Sequence, residues 1–312
     1  MKKIIITGAD GFVGSNTVRY FLENHVEILA IDIIENVKNL KEHKNLTYMK
    51  ADVTKPKEFL NRIPQNEYDT FIHFAWAGSA GPGRTDYNLQ MDNAIYTVEC
   101  LKVAKQLGCK RFLCAGSIME KEVVAAVNKQ GNHPGMGYVY GMGKLIAHQM
   151  CKSVASEIGI DLVWPIITNT YGEGELSPRF VNTTIRKIIN KEPLEFTSAT
   201  QNYDFVHISD VARAFYLIAE KGKPFFEYII GSSNAKPLKE FVLELQQELA
   251  PDIVPLFGNV SFTGTNMPLS TFDTSYTEND TGFKAKVSFS EGTRRTMNWL
   301  KTLNEEQYDS KI

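Results

Sequence analysis

The chain has 312 residues, 43% apolar and 22% charged, the proportions of an ordinary soluble globular protein with room for a large core. Its formal net charge of -2 offers no basic field for nucleic acid, and no apolar run is long enough to span a membrane. The opening MKKIIITGAD lacks the apolar core and cleavage site of a secretory leader. Four cysteines, Cys100, Cys109, Cys114 and Cys151, lack C-x-x-C spacing and read as reduced, buried thiols, so a cytoplasmic protein without a metal site is expected.

Apolar, β-branched runs recur at 3–7, 26–31, 46–49, 70–75, 111–116 and 161–168. Helix-period segments lie between most of them, at 15–24, 57–63, 88–107 and 140–158. Such alternation predicts an α/β domain over 1–171, a doubly wound parallel sheet covered on both faces. Beyond Tyr171, polar loops alternate with helices near 180–190, 209–221, 237–249 and 290–301. A smaller α/β substrate domain is expected over 172–312, with part of 203–231 returning to the first sheet.

The first strand runs into IIITGADGFVGSNTV, where Gly8, Gly11 and Gly14 stand at three-residue spacing before a helix. Glycines let the backbone turn tightly and approach a pyrophosphate, and the helix N-terminus presents free N–H groups. A second strand ends in Asp32, some twenty residues on, as the Rossmann dinucleotide fingerprint requires. A carboxylate there hydrogen-bonds ribose hydroxyls and repels a 2′-phosphate, which favours NAD over NADP. Asp52 ends the third strand, where an adenine contact is compatible with the pattern and so is a plain strand-end turn.

At the start of the helix over 140–158, Tyr140 precedes Lys144 by four residues, which places the two side chains on one helix face. A free phenol titrates near 10, and bringing it to about 7 takes roughly 4 kcal/mol, more than one surface lysine supplies in water. The pair is catalytic only inside a cleft with further charge. Otherwise it is helix surface.

With TGADGFVG, ADV, HFAWAG, CAGS, YGMGK and TNTYG in this order, nearly the whole chain resembles the extended short-chain dehydrogenases, the NAD-dependent nucleotide-sugar epimerase, dehydratase and 4-ketoreductase family. YDFVHISDVARA and the segment FDTSYTENDTGFKAKVSFSEGTRRTMNWL extend the likeness. The resemblance implies that Tyr140 is the acid or base on a sugar hydroxyl or ketone. Lys144 then binds the nicotinamide ribose and favours the phenolate, and Ser117 bonds the same sugar oxygen. Cofactor contacts implied in the same way are Gly8, Gly11, Phe12, Val13, Gly14, Asp32, Asp52, Val53, Phe74, Ala75, Trp76, Asn93, Ala115, Tyr140, Lys144 and Ile167. Substrate contacts are Arg84, Ser117, Met119, Asn169, Arg179 and Tyr203, while His73 packs in its strand and Tyr138 lacks a lysine four residues on.

The chain departs from the family in three places. Ile118 and Met119 stand where 4,6-dehydratases carry an acidic pair, with Glu120 and Glu122 close by. Tyr203 stands where many members carry an arginine on the nucleotide phosphates, so aromatic stacking, or Arg179 or Arg186, is expected in place of that contact. The segment SIMEKE lacks the Tyr-Gly end of the epimerase motif and is closer to the SQAEYG of some 4-ketoreductases. The expected activity is hydride transfer at a ring carbon, C4, of a nucleotide-activated hexose, by an epimerase or a 4-keto-sugar reductase working as a homodimer. The rival reading is a non-catalytic NAD-binding sensor or scaffold protein on the same fold.

Overall fold

A computed structural model describes residues 1–262 and 264–303 of the chain, so the final stretch of the expected second domain, 304–312, lies outside the described residues. Seven of the strands are β1 (Lys3–Thr7), β2 (Glu27–Asp32), β3 (Leu46–Lys50), β4 (Thr70–His73), β5 (Arg111–Cys114), β6 (Gly116–Ser117) and β7 (Asp161–Ile167). With the strand Glu227–Ile230 they form one eight-stranded sheet in the order Glu227–Ile230, β7, β5, β4, β1, β2, β3, and β6 pairs beside β7. The pairings are parallel, with Ile4 to Ile6 opposite Ile28 to Ala30 on one side and Thr70 to Ile72 on the other. The strand order turns back between β1 and β4, and ligands of open α/β sheets bind at such a switch point, outside the strands' carboxyl ends.

Ten helices are described: α1 (Phe12–Glu23), α2 (Pro56–Leu60), α3 (Tyr87–Gln106), α4 (Met119–Val127), α5 (Val139–Ile158), α6 (Phe180–Ile189), α7 (Ile208–Lys221), α8 (Leu238–Leu249), α9 (Ser275–Thr281) and α10 (Phe289–Leu300). Side chains of β1 alternate between two cores, as a strand covered on both faces requires. Ile5 joins Phe71, Phe112 and Trp164 under α3 and α5, while Ile4 and Ile6 join Val18 and Phe21 of α1 and Val211 and Phe215 of α7. A third core, around Val181, Ile185, Phe205, Phe241 and Phe289, holds α6, α8 and α10 together.

Sequence periodicity left α4 and α9 unassigned, and the signal for α4 was present. Ser117 and Glu120 have the S-x-x-E spacing of a capping box, and Glu120 Oε1 accepts the Ser117 backbone N–H at 2.8 Å.

Candidate active site

The glycine loop between β1 and α1 is shaped for a ligand to approach its backbone. Gly8 has φ of 64°, and a Cβ there would lie 2.6 Å from Ala75 N; a Cβ on Gly14 would lie 2.0 Å from Gly8 O. Glycine is therefore required at both positions. Gly11 caps α1 without a side-chain hydrogen bond, so the first-turn N–H groups at Phe12, Val13 and Gly14 keep the helix-start capacity for an anion. This cradle, which side chains would fill, fits the pyrophosphate of a dinucleotide.

Asp32 ends β2 and accepts from Asp10 N at 2.9 Å and Ile33 N at 2.8 Å, which ties it to the glycine loop. Asp10, which the sequence reading passed over, is buried and accepts from Lys38 N, Asn39 N and Leu40 N at 2.8–2.9 Å. It thereby ties the segment after β2 to the same loop. Asp52 caps its own turn, accepting from Thr54 N at 2.9 Å, and Val53 packs against the core below. Phe74 leans edge-on against Phe215 at 4.7 Å, and Ile167 is buried at the end of β7.

After β4 the chain enters a loop held from α3. Both polar atoms of the Asn93 amide bond the Ala77 backbone, at 3.0 and 2.8 Å, so Asn93 shapes the loop. The buried Gln90 accepts from Trp76 Nε1 at 2.7 Å and donates to Gly78 O and Gly83 O at 3.1 and 2.8 Å. Sequence reading missed Gln90, since one glutamine on an amphipathic helix carries no motif. His73 is bound by Thr7 Oγ1 at 2.8 Å and Thr97 Oγ1 at 3.3 Å. Burial, with Lys144 near, pushes its pKa down to about 3, so it is neutral and structural, as expected.

Lys144 is buried and donates to Ala115 O at 2.8 Å, with its ammonium 3.6 Å from the centre of the Trp76 ring. Trp76 meets the Tyr140 ring edge-on at 6.2 Å. The Arg84 guanidinium carbon stands 4.3 Å from the centre of the same Tyr140 ring. Arg84 thus brings a cation from another element onto the Tyr140 ring, while Lys144 sits on Trp76, the ring that meets Tyr140 edge-on. Ser117 Oγ accepts from Met119 N at 3.3 Å. Met119 packs against Val123, Ala126 and Tyr138, and Tyr138 Oη bonds Thr265 Oγ1 at 2.8 Å.

Arg84 is a hub. Its neighbours in the local field are Tyr140 from α5, Arg179 at the start of α6, Glu122 from α4 and Tyr203, and burial weighs against its charge. Its Nη1 donates to Ser79 O at 3.0 Å, and Arg179 Nε lies 3.1 Å from Glu175 Oε2. Asn169, Arg179, Phe180, Tyr203 and Phe205 line part of a cavity of about 190 Å³ next to this cluster. Tyr203 stacks on Phe205 with centroids 5.7 Å apart, and Asn169 is turned by donating to Asp204 O at 3.0 Å. Arg186 is buried and bonds Asn182 Oδ1 at 3.3 Å; it does not line this cavity. Glu120 faces away from the cluster into the core, accepting from His148 Nδ1 at 3.1 Å and Trp164 Nε1 at 3.2 Å.

A glycine cradle at the switch point, an acidic end to β2 and a tyrosine–lysine pair in the adjoining cleft define an NAD-dependent enzyme class. The family model described as NAD dependent epimerase/dehydratase matches residues 4–231, and the chain belongs to that family. A probable dTDP-glucose 4,6-dehydratase of Sinorhizobium fredii is 24% identical over 95% of this chain and 92% of its own. A dTDP-4-dehydro-6-deoxyglucose reductase of Escherichia coli is 23% identical over 84% of this chain and 87% of its own. Among solved structures, the UDP-glucose 4-epimerase of Thermotoga maritima with UDP-glucose superposes with a TM-score of 0.80 at 20% identity, covering 96% of this chain and 98% of that one. Dehydratase, reductase and epimerase all stand among the relatives, so likeness alone does not select the outcome. No described helix is long and apolar enough to cross a membrane.

Proposed function

We propose that the protein moves a hydride at a ring carbon, C4, of a nucleotide-activated hexose, as a sugar epimerase or a 4-keto-sugar reductase. The observation that carries this reading is Tyr140, lodged at the cleft with Arg84 on its ring face and Ser117 and Lys144 contributed by the neighbouring strand end and helical turn. NAD supplies the hydride acceptor or donor when bound. Tyr140 takes the proton from the sugar oxygen at the reacting carbon, or returns it. Ser117 Oγ keeps a proton to donate to the same oxygen. Lys144, anchored on Ala115 O and the Trp76 ring, would bind the cofactor ribose and favour the Tyr140 phenolate. Tyr203 offers a ring face to the base, and Arg179 and Asn169 serve the diphosphate.

Along α3, Tyr87, Met91 and Ile95 are 64%, 41% and 49% exposed at four-residue spacing, an apolar stripe that a second copy covers in a homodimer. A cytoplasmic location accords with four free cysteines, all buried. Incubation with UDP-, dTDP-, GDP- and CDP-linked hexoses and their 4-keto forms, read by NMR and by absorbance of reduced cofactor, tests the function. Epimerisation leaves the cofactor balance unchanged, whereas reduction consumes reduced cofactor one for one. Absence of both with NAD bound would leave a sensor or scaffold protein on the same fold.

A further inference from the structure

Glu120, in the first turn of α4, is 1% exposed, and groups from β6, β7 and α5 meet it. Its Oε1 accepts from Ser117 N at 2.8 Å, and Trp164 Nε1 lies 3.2 Å from both carboxylate oxygens. His148 Nδ1 stands 3.1 Å from Oε2, and the buried His148 ring lies flat on Trp164, with centroids 4.3 Å apart and planes 3° from parallel. Gly116 leaves room for the cluster, since a Cβ there would lie 2.4 Å from Trp164 Nε1 and 2.7 Å from Glu120 Oε1. A helix cap needs only the bond to Ser117 N, which a capping side chain makes at the surface as well, and burying the carboxylate costs stability unless it is paired. What the burial connects is the chemistry. Tyr140, Lys144 and His148 follow one another at four-residue spacing along one face of α5. Lys144 Nζ donates to Ala115 O at 2.8 Å, and His148 reaches Ser117 N through Glu120, so the helix that carries Tyr140 grips the strand exit at 115–117 twice. Ser117 Oγ accepts from Met119 N at 3.3 Å, which leaves its proton free to donate.

We infer that Glu120 and His148 are positioning residues, which hold Ser117 by its backbone N–H and so fix where its hydroxyl stands relative to Tyr140. This rests on the reading that Ser117 Oγ and Tyr140 share one sugar oxygen. Neither Glu120 nor His148 is placed to touch the substrate. The carboxylate faces the core, and the far side of His148 looks at Glu227, whose Oε1 lies 3.9 Å from Nε2 and whose other oxygen pairs with Lys121. The stack on Trp164 sets the plane of the imidazole, and the imidazole and indole together set the carboxylate. Ser117 needs such a clamp because β6 is only two residues long, with Ile118 N to Ile167 O at 2.9 Å as the neighbouring ladder bond. Without the clamp Ser117 is free to shift, and a displacement of about 1 Å can cost roughly 10² in rate.

Steady-state kinetics on the NAD-loaded enzyme test this, with the UDP-, dTDP-, GDP- or CDP-linked hexose that the native protein turns over fastest. Glu120→Leu, which keeps the bulk and removes both acceptors, should lower kcat roughly 10- to 100-fold and change KM and NAD affinity less than about threefold. Glu120→Gln keeps an acceptor for Ser117 N and should recover most of the loss. In a Ser117→Ala background, with no hydroxyl left to position, Glu120→Leu should cost less than about twofold more. An equal loss in both backgrounds, a Glu120→Gln as slow as Glu120→Leu, or native kcat in Glu120→Leu overturns the inference and leaves the role of Ser117 standing. Should Glu120→Leu fail to fold, His148→Phe, which keeps the stack without the donor, and His148→Asn, which keeps a donor near the Nδ1 place, decide in its stead: the first should be slow and the second largely recovered, and equal rates overturn the inference. Native turnover in Ser117→Ala, or a native protein that turns over no hexose of the panel, overturns the functional reading and this inference together, and is recognised before any Glu120 variant is measured.

Discussion

Asp32 offers the most searching perturbation of the cofactor site, because its carboxylate has two tasks. Facing a 2′-phosphate of two negative charges at about 6 Å and an effective dielectric near 60, it contributes roughly 2 kcal/mol of repulsion, about thirtyfold in affinity. The native protein is therefore expected to bind NAD at least tenfold tighter than NADP. The same carboxylate accepts from Asp10 N at 2.9 Å, and Asp10 in turn ties down Lys38, Asn39 and Leu40. Asp32→Ser removes the charge and this anchor together, so the gap should narrow to a few-fold while NAD binding itself falls by about 1–2 kcal/mol. Asp32→Asn removes the charge but keeps an acceptor for Asp10 N, so it should narrow the gap with less loss of NAD. Calorimetric titration of both cofactors against the three proteins decides the matter. NADP preferred by the native protein, or an unchanged ratio in Asp32→Asn, would refute the reasoning.

Tyr140→Phe is expected to keep the fold and NAD binding and to lower turnover by roughly 10² to 10⁴, measured by steady-state kinetics on the identified substrate; near-native turnover would remove Tyr140 from the reaction. Nucleotide-activated glucose, galactose or mannose in deuterated water should give no 4-keto-6-deoxy product and no deuterium at C5, because water expulsion needs an acid and a base and Glu120 is turned into the core. NMR detection of either species at catalytic rates would contradict this. Glu122 has a folded pKa of about 7 against an ordinary 4.5, so the native state holds its proton more tightly: its stability contribution is complete below about pH 4.5 and lost as pH rises through 7. Glu122→Gln should consequently raise the melting temperature at about pH 8, by an amount equivalent to roughly 1–2 kcal/mol after allowance for screening, and not at about pH 4; an equal change at both would show that packing, not ionisation, is responsible. Gly14→Ala should abolish NAD binding, since its Cβ would fall 2.0 Å from Gly8 O, and tight binding in a titration would disprove the close-approach reading.

The sheet was legible because its strands are buried on both faces and therefore continuously apolar, as KIIIT and TFIH show. The glycine loop was legible for a related reason, since backbone sterics admit one residue type at Gly8 and Gly14 and the requirement is written in the sequence as spacing. What escaped notice acts through single contacts between distant segments. Gln90 reads as one polar position on an amphipathic helix, and its work, holding Trp76 to Gly83 in shape, arises only when α3 crosses that loop; Asn93, expected at the cofactor from the resemblance, holds the Ala77 backbone of the same loop. Asp10 reads as a variable position between glycines, and its three backbone partners lie 28 to 30 residues away. Glu120 and Glu122 are the sharpest case. In the sequence they are near-equivalent acids after Ser117, yet two residues of helix separate a buried one that ties β6 to α5 from one that is only partly buried. The helix that sorts them, α4, could have been placed from the Ser117 to Glu120 capping box, and the 100° step per residue then gives their opposite facings. How far each facing is buried still depends on how α4 seats on α5. There, Gly141 lets Val123 and the Met119 backbone approach within 2.8 Å of where a Cβ would stand. A glycine in the first turn of α5 thus sets how closely α4 seats against it.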